Sequence, residues 1–495
     1  QHVMSRKNGT FARVCFVRIE VVKFSVVALS FFIFFSPAGQ AASKKSAPSL
    51  PAPIQKALNS CKVPKGDFSL SVIPLSDKGT MLKFNSTAPR VPASSAKVIT
   101  SAAALQLLGP AKVWTTRFIS AEEPDRNGVL SGDLYLVGHG APSMTIERFW
   151  LLVDNLRARG VKEIKGNIIA DRSHFDVAPH DPFAFDGEGN RPYNLGPDAL
   201  MVNSRSFFIK IRPDKEAGVA YLYPEPRIAG VKLPESIPLS KEGCGAWRKQ
   251  INPDFSNPLK PAFKGKFPLK CGPKDYFYTS LSADQYLQVV FADMWKKAGG
   301  TWKGKVVQGK LPEDSDDYKV LASSYSEPLT KLVYNMNKYS DNIIARQLFL
   351  ALANTQKDEP KNLEGARAAV YEWAASLKIP ASSLKIDNGS GLSRTTAVST
   401  DAFVTVLKHM WNSPQMPEFV SSLPISGVDG TMRKRHVAQG NAHIKTGYIQ
   451  NVRSIAGYVQ TKSGERYAVA AIVNGPSAIN SIPVMDAVIC WVYGR

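Results

Sequence analysis

The chain has 495 residues, of which 44% are hydrophobic and 21% are charged. This is the composition of an ordinary globular protein with room for two or three domains and a sizeable core. The formal net charge is +21, but no basic block with interleaved aromatic residues is present, so nucleic acid is excluded as an expected partner.

The first 41 residues predict a secretory signal peptide. An apolar run over 24–35 follows a basic region and is followed by small residues up to Ala41. The basic region contains Arg6, Lys7, Arg13, Arg18 and Lys23. A membrane anchor is the alternative, but this apolar run is short for a bilayer span. We therefore expect an exported, periplasmic protein that is cleaved near Ala41.

Cleavage would lower the net charge from +21 to about +17. Two explanations of this charge stay open. The first is attraction to an anionic envelope, either an acidic wall polymer or a membrane surface with which the protein associates peripherally. The second is solubility alone.

Four cysteines remain after the signal peptide is removed, an even number that predicts disulfides in an oxidising compartment. Cys244 and Cys271 lie in one loop-rich region and are expected to pair, which would leave Cys61 to pair with Cys490. The sequence has no Cys-x-x-Cys pattern and no His cluster, so neither a metal site nor a cofactor is predicted.

The chain begins and ends with segments that predict one structural unit. Alternating residues over 68–73 and 80–84 predict a hairpin, and an apolar helix follows Ser94. Further helices are predicted over 54–61, 283–298, 328–353, 362–377, 400–411 and 483–493. Further strands are predicted over 443–448, 455–459 and 467–473. We expect strands from both ends to share one antiparallel sheet in an α/β (α+β) fold.

The middle of the chain has a different character. Residues 119–280 hold many short strands with Gly, Pro and Asp turns, interrupted by one helix over 146–159. We interpret them as one or two inserted β-rich domains. The rest of the mature chain, 42–118 and 281–495, is then a single domain.

Three short motifs occur in this outer part of the chain. They are Ser94-x-x-Lys97, Ser340-Asp341-Asn342 and Lys445-Thr446-Gly447. Each is weak alone, but the trio in this order, in helix, loop and strand settings, is the mark of penicillin-binding proteins and class A β-lactamases.

The first motif has the chemistry of covalent acyl transfer. Ser94 and Lys97 lie on one face of a helix, which places a nucleophile beside a base. Burial and the nearby charge of Lys445 would lower the pKa of Lys97 so that it accepts a proton. The backbone N–H groups of Ser94 and Tyr448 are candidates for an oxyanion hole.

The other two motifs supply complementary groups. Ser340 can relay a proton to the leaving amine, and Asn342 can hold the catalytic lysine and the substrate amide. Lys445 and Thr446 can bind a terminal carboxylate, and the absence of a side chain at Gly447 would let substrate approach the strand edge.

With these motifs the chain resembles the D-alanyl-D-alanine carboxypeptidase/endopeptidases that are class C low-molecular-mass penicillin-binding proteins. Three stretches add to the resemblance: Gly132-Asp133-Leu134-Tyr135-Leu136, Asn388-Gly389-Ser390-Gly391-Leu392-Ser393-Arg394 and Lys445-Thr446-Gly447-x-x-Gln450-Asn451-Val452. One departure is Ala141, where the family usually has Asp.

The resemblance implies a penicillin-binding, serine β-lactamase-like transpeptidase domain, in which helices flank an antiparallel sheet and β-rich domains interrupt the chain. It implies a serine-type D-Ala-D-Ala carboxypeptidase, with endopeptidase action on cross-links as a further expectation. The expected substrates are peptidoglycan stem peptides. β-Lactam antibiotics such as penicillin would acylate the same serine.

Two alternatives share the motifs. A serine β-lactamase is disfavoured because Ser340 follows Ser94 by 246 residues and no Glu-x-x-Leu-Asn pattern lies between Ser340 and Lys445. A non-catalytic peptidoglycan-binding protein on the same fold is disfavoured because the catalytic residue types are intact. A third alternative, a Ser-His-Asp hydrolase, does not share these motifs and is disfavoured since no Gly-x-Ser-x-Gly pattern occurs.

Overall fold

The structure is a computed structural model that describes residues 49–76, 78–355 and 361–495. The predicted signal peptide and its cleavage site near Ala41 lie outside these ranges. Across the described residues, none of the helices combines the length and the apolar character that are needed to cross a bilayer.

The described residues form the following α-helices and strands. The α-helices are α1 Ala52–Ser60, α2 Lys97–Leu107, α3 Ile146–Ala158, α4 Trp247–Gln250, α5 Ala283–Lys297, α6 Leu329–Tyr339, α7 Asn342–Ala351, α8 Leu363–Ser376, α9 Thr400–Trp411, α10 Met416–Ser422 and α11 Ile482–Tyr493. The strands are β1 Phe68–Pro74, β2 Leu82–Phe84, β3 Thr115–Ser120, β4 Val129–Leu130, β5 Leu134–Gly138, β6 Glu163–Ile164, β7 Ile168–Asp171, β8 Phe207–Asp214, β9 Val219–Glu225, β10 Ser236–Ser240, β11 Pro253–Asp254, β12 Ala262–Phe263, β13 Phe267–Pro268, β14 Lys274–Tyr278, β15 Thr301–Trp302, β16 Val306–Gly309, β17 Lys319–Tyr325, β18 Leu384–Lys385, β19 Ala397–Val398, β20 Ala442–Ile449, β21 Val452–Gln460 and β22 Arg466–Asn474.

The central sheet joins the two ends of the chain. Its strand order is β2-β1-β22-β21-β20, and every neighbouring pair is antiparallel. Phe68 of β1 pairs with Val473 of β22. The predicted antiparallel sheet made from both termini is therefore confirmed, and β20 lies at its edge.

Helices cover both faces of this sheet. Successive side chains of a strand point to opposite faces, and on β22 Ile472 packs into one hydrophobic core while Val473 packs into another. The first core contains α2 and α6 to α9, and the second contains α1 and α11. Since α2 is apolar nearly all round, it is buried along most of its length, as its sequence predicts.

A separate core belongs to the inserted segment. A mixed sheet of order β16-β7-β5-β3-β17 packs with α3 and α5, and a second sheet has the order β13-β10-β9-β8-β14. Phe291 of α5 and Leu321 of β17 are buried in this core. The packing favours an insertion that extends to Tyr325, beyond the predicted boundary at residue 280. The difference arises because the apolar face of α5 does not specify which core it joins.

One of the two expected disulfides forms. Cys244 and Cys271 are bonded, whereas Cys61 and Cys490 are both free thiols, so the predicted Cys61–Cys490 bond is wrong. Helices α1 and α11 do pack together, but the Cys61 thiol lies against the backbone of Val484. Cys490 is six residues further along α11, which is about 9 Å of helix rise.

We predict that removing the Cys244–Cys271 bond destabilises the protein. The bond closes a loop over a sequence separation of 27 residues, and losing such a cross-link costs about 3 kcal/mol through the entropy of the unfolded chain. The double variant Cys244→Ala/Cys271→Ala should therefore unfold at a lower denaturant concentration. The matched control, Cys61→Ala/Cys490→Ala, should change stability by less than about 1 kcal/mol. Equal destabilisation of the two variants would contradict this assignment.

Candidate active site

Ser94, the predicted nucleophile, lies in a short 3-10 helix, Ala93–Ala96, that leads directly into α2. Ala93 has a φ of 47°, a left-handed conformation that is unusual for a residue with a side chain. The turn is fixed to the central sheet, since the Ser95 and Ser454 hydroxyls are 2.8 Å apart. Ser94 is therefore held in a fixed position next to the edge of the central sheet.

Lys97 is fully buried and its amine lies 3.1 Å from Ser94 Oγ. Its Nζ also donates to Asn342 Oδ1 at 2.7 Å and to the carbonyl oxygen of Ser390 at 2.5 Å. Burial holds the pKa of Lys97 well below its usual value, and the charge of Lys445 lowers this pKa further. A neutral amine has two N–H groups, which these two oxygens occupy. Its lone pair is left to accept the Ser94 proton.

The second motif forms the break between α6 and α7. Ser340 ends α6 in the left-handed conformation with a φ of 59°, and Asp341 caps α7 by accepting bonds from the Ile343 and Ile344 N–H groups at 2.8 and 2.9 Å. The helical stretch predicted over 328–353 is therefore two helices. The break between them places Asn342 at the first position of α7, facing Lys97.

Lys445, on β20, is also fully buried. Its Nζ donates to Ser340 Oγ at 3.0 Å and to the carbonyl oxygen of Thr446 at 2.8 Å. Burial lowers the pKa of Lys445 to about 7. The Thr446 hydroxyl lies 2.9 Å from that of Thr431, so a pair of hydroxyls begins at the residue next to Lys445.

The free edge of β20 carries backbone donors. Ile444 donates its N–H to the Pro424 carbonyl at 2.7 Å, on the side away from β21. Backbone groups alternate along a strand in an antiparallel pair, so the N–H groups of Thr446 and Tyr448 point to the same edge. This orientation fits the predicted oxyanion-hole role of Tyr448, whose side chain is 53% exposed.

Gly447 lies at a crowded contact within the protein. A Cβ at this position would lie 2.2 Å from Ser454 Oγ and 2.4 Å from the Pro92 carbonyl oxygen. The crowding comes from the turn that carries Ser94. The glycine therefore lets the turn that carries Ser94 approach the strand. Our expectation that it also lets substrate approach the strand edge stays a prediction.

The three motifs assign no role to two further parts of the site. The first is the turn over 388–394, where Ser390 binds Lys97 and a Cβ on Gly391 would lie 1.9 Å from the Ala93 carbonyl oxygen. This turn is part of the family resemblance, and that resemblance is the signal that could have found it. The second is Tyr193 in the insertion, whose carbonyl accepts a bond from Asn342 Nδ2 at 3.2 Å. No local pattern marks Tyr193.

The structure thus joins Lys97 to Ser94 and Asn342, and Lys445 to Ser340, by hydrogen bonds. The two groups are close enough for the charge of Lys445 to lower the pKa of Lys97. Residues 50–492 match the D-Ala-D-Ala carboxypeptidase 3 (S13) family. The chain belongs to this family. The predicted family and the predicted enzyme class, a serine-type D-Ala-D-Ala carboxypeptidase, are confirmed.

Two curated relatives carry the same name. The chain is 27% identical over 423 residues to a D-alanyl-D-alanine carboxypeptidase of Actinomadura sp. (strain R39), covering 80% of this chain and 76% of the relative. It is 25% identical over 406 residues to the D-alanyl-D-alanine carboxypeptidase DacB of Haemophilus influenzae, covering 80% of this chain and 82% of the relative.

The fold also matches a solved structure. Penicillin binding protein 4 (dacB) from Haemophilus influenzae superposes with a TM-score of 0.73 at 23% identity, over 88% of this chain and 98% of that protein. The match supports the fold, and the predicted fold class is confirmed.

We predict that Gly447→Ala destabilises the protein by about 1–3 kcal/mol, the usual cost of forcing an extra methyl into a packed site. Its Cβ would meet Ser454 and a backbone carbonyl that cannot move without displacing the nucleophile turn. Denaturant unfolding measures the effect. Gly66→Ala is the matched control, because a Cβ there meets nothing within 4 Å, and it should leave stability unchanged. A Gly447→Ala variant as stable as this control would contradict the packing role.

Proposed function

We propose that Ser94 cleaves D-Ala-D-Ala termini of peptidoglycan stem peptides through an acyl-enzyme. Ser94 Oγ attacks the carbonyl carbon of the penultimate D-Ala while Lys97 accepts its proton. The C–N bond to the terminal D-Ala then breaks, and water later hydrolyses the ester. The observation that carries the proposal is the position of the Lys97 amine, 3.1 Å from Ser94 Oγ with its other hydrogen-bonding capacity used.

Proton return to the leaving amine involves the second motif. The proton that Lys97 takes from Ser94 must reach this amine: Ser340 gives its own hydroxyl proton to the amine and takes the Lys97 proton in exchange, which leaves Lys97 neutral for the hydrolysis step. The hydrogen bond of 3.0 Å from Lys445 Nζ to Ser340 Oγ holds the hydroxyl in place. Asn342 keeps Lys97 in place and presents a side-chain amide next to the substrate backbone. Each of these groups has its starting protonation state again at the end of the cycle.

The substrate carboxylate is held at the third motif. Lys445 in its charged form attracts a terminal carboxylate, and the paired hydroxyls of Thr446 and Thr431 can donate to it. The N–H groups of Ser94 and Tyr448 would stabilise the oxyanion. A site that binds a carboxylate on the residue after the scissile bond fits the carboxypeptidase reaction.

The two alternatives are less well supported. A serine β-lactamase is disfavoured by the 246 residues that separate Ser340 from Ser94 and by the absence of a Glu-x-x-Leu-Asn pattern between Ser340 and Lys445. The connected contacts among the motif residues argue against a non-catalytic wall-binding protein. β-Lactam acylation is supported by the complex of the Haemophilus influenzae protein with a β-lactam.

Export to the periplasm is part of the proposal, since the substrate lies outside the cytoplasm. It is supported by the basic, apolar and small-residue pattern that ends at Ala41. We also propose that the insertion between β3 and β17 forms one or two domains beside the catalytic domain, on the evidence of its separate core.

We predict that penicillin adds its own mass to the wild-type protein and that the Ser94→Ala variant stays unmodified, because this substitution removes the nucleophile. Intact-mass spectrometry after incubation with the antibiotic measures the adduct. An unmodified wild type, or an undiminished adduct on Ser94→Ala, would refute the acyl-enzyme.

We predict that Lys445→Ala lowers the rate of D-Ala release by about 10- to 100-fold, the value of a hydrogen bond to a charged group. The loss should be largest for a peptide with a free C-terminal carboxylate. The same peptide amidated at its C-terminus is the control, since it has no carboxylate for Lys445 to bind. Identical losses on the two peptides would remove the carboxylate role.

We predict that kcat/KM for D-Ala release falls as the pH rises through about 7. The pKa of Lys445 is lowered to about 7 in the free protein, so above that pH the amine is neutral and no longer attracts the carboxylate. A bound carboxylate favours the charged amine, so kcat should fall at a higher pH than kcat/KM. Initial rates across pH 5 to 10 measure both. An alkaline limb that is unchanged in Lys445→Arg, whose charge persists, would exclude Lys445 as its cause.

A further inference from the structure

The second sheet of the insertion has one face that the rest of the described chain leaves open. Strands β9, β8 and β14 lie side by side in this sheet, and successive side chains of a strand point to opposite faces. Phe207 and Ile209 of β8 and Leu222 of β9 are buried. The residues that alternate with them therefore form the outer face, and the acyl-transfer chemistry described above uses none of these residues.

Four aromatic rings lie on this outer face. Tyr221, Tyr223 and Phe277 are 38%, 54% and 49% exposed. Phe208 is the partner of Phe277 in the strand register, and their rings stack with centroids 4.5 Å apart. Exposed aromatic residues that are grouped on one surface are typical of a binding surface, whereas single exposed ones are not.

The four rings form a row. Tyr221 and Tyr223 are two residues apart on β9, and Phe208 lies opposite Glu225, two residues further along the same strand. Two residues of a strand span about 7 Å, and neighbouring strands are about 5 Å apart. The row from Tyr221 to Phe277 is therefore about 16 Å long. This length suits an extended chain molecule better than a single small ligand.

The charges on this face are paired with one another. Lys210 Nζ lies 2.7 Å from Glu225 Oε1, and Arg212 Nη1 lies 3.3 Å from Asp275 Oδ1. The face is therefore close to neutral, although the whole chain has a formal net charge of +21. Since a surface with balanced charges does not attract a charged polymer, the charges favour a neutral, polar partner.

A cavity of about 260 Å³ opens at the Phe277 end of the row. Phe208 and Phe277 line one part of it, and Glu147 and Glu225 bring carboxylates to it. Among the described residues, no group bonds to the Glu147 carboxylate, so this side chain is free to accept a hydrogen bond. Sites for drug-sized molecules measure about 300–1,000 Å³. The smaller cavity fits one group of a longer molecule.

We propose that this face binds the glycan strand of peptidoglycan, a polymer of N-acetylated amino sugars. The C–H groups of a sugar ring pack on the electron-rich face of an aromatic side chain, and the sugar hydroxyls can bond to the paired charges beside the row. An acetamido group fits the cavity, because its methyl can contact Phe208 and Phe277 while its N–H donates to a carboxylate. The choice of this glycan among neutral polysaccharides rests on the proposed function.

A hexamer of β-1,4-linked N-acetylglucosamine tests the proposal, because it has the chemistry of the glycan and carries no peptide for Ser94 to cleave. Isothermal titration calorimetry with the full chain measures its affinity. For Tyr221→Ala/Tyr223→Ala we expect a dissociation constant about tenfold above that of the wild type, since two stacking surfaces are lost. Tyr325→Ala is the matched control, because Tyr325 is 56% exposed on the other sheet of the insertion. It should leave the affinity unchanged.

A second variant tests the cavity. Glu147→Ala removes an acceptor for the acetamido N–H and should weaken binding of the hexamer about tenfold, as for loss of a hydrogen bond to a charged group. Cellohexaose, a β-1,4-linked glucose chain without acetamido groups, is the comparison ligand. We expect the wild type to bind it more weakly than the hexamer and Glu147→Ala to bind it as the wild type does.

The outcomes separate the glycan site from folding and from catalysis. Penicillin acylation of the double variant should match that of the wild type, which shows that the variant is folded. No binding of the hexamer by the wild type, equal binding by the double variant, or equal binding of cellohexaose would overturn the site. Binding of polyglutamate in place of the hexamer, or self-association of the wild type that the double variant loses, would also overturn it. Hexamer binding by a wild type that releases no D-Ala would instead overturn the proposed function.

Discussion

The site depends on a buried lysine that must lose its charge. Lys97 is fully enclosed, and a buried ammonium without a counter-ion is so costly that the neutral amine is favoured instead. Two oxygens, from Asn342 and Ser390, then use both N–H groups. This arrangement aims the lone pair at Ser94. The apolar character of α2 and the central sheet behind it are what keep water from restoring the charge.

Close packing of the backbone fixes the position of the Lys97 amine relative to Ser94. The nucleophile turn is pressed against β20 at Gly447 and against the 388–394 turn at Gly391, and neither contact leaves space for a Cβ. The third element, α7, begins where Asp341 caps it, so Asn342 meets Lys97 from the first turn of a helix. Three segments distant in sequence are thereby fixed by contacts that tolerate little movement.

The parts of this arrangement that the sequence could predict are local. The three motifs, the sheet formed by both termini and the Cys244–Cys271 bond follow from residue type, spacing and alternation. The packing contact at Gly447 could not be predicted because a sequence cannot show which side of a strand is crowded. The Cys61–Cys490 bond was mistaken because neighbouring helices need not place two thiols at the same height. The extent of the insertion stays a prediction, since an amphipathic helix such as α5 does not reveal its partner.

The insertion contributes to the catalytic centre through the same buried helix that carries Asn342. Arg346 on α7 is 4% exposed and donates to the carbonyl of Leu195 in the insertion, and burial lowers the pKa of Arg346 to about 10. A buried guanidinium needs such oxygen partners, so the 193–195 segment cannot leave α7 without exposing an unpaired charge. The Tyr193 carbonyl that receives Asn342 is therefore anchored by the charge one helical turn further on. The need of the buried Arg346 for oxygen partners therefore sets both the position of the Asn342 amide and the position of Tyr193.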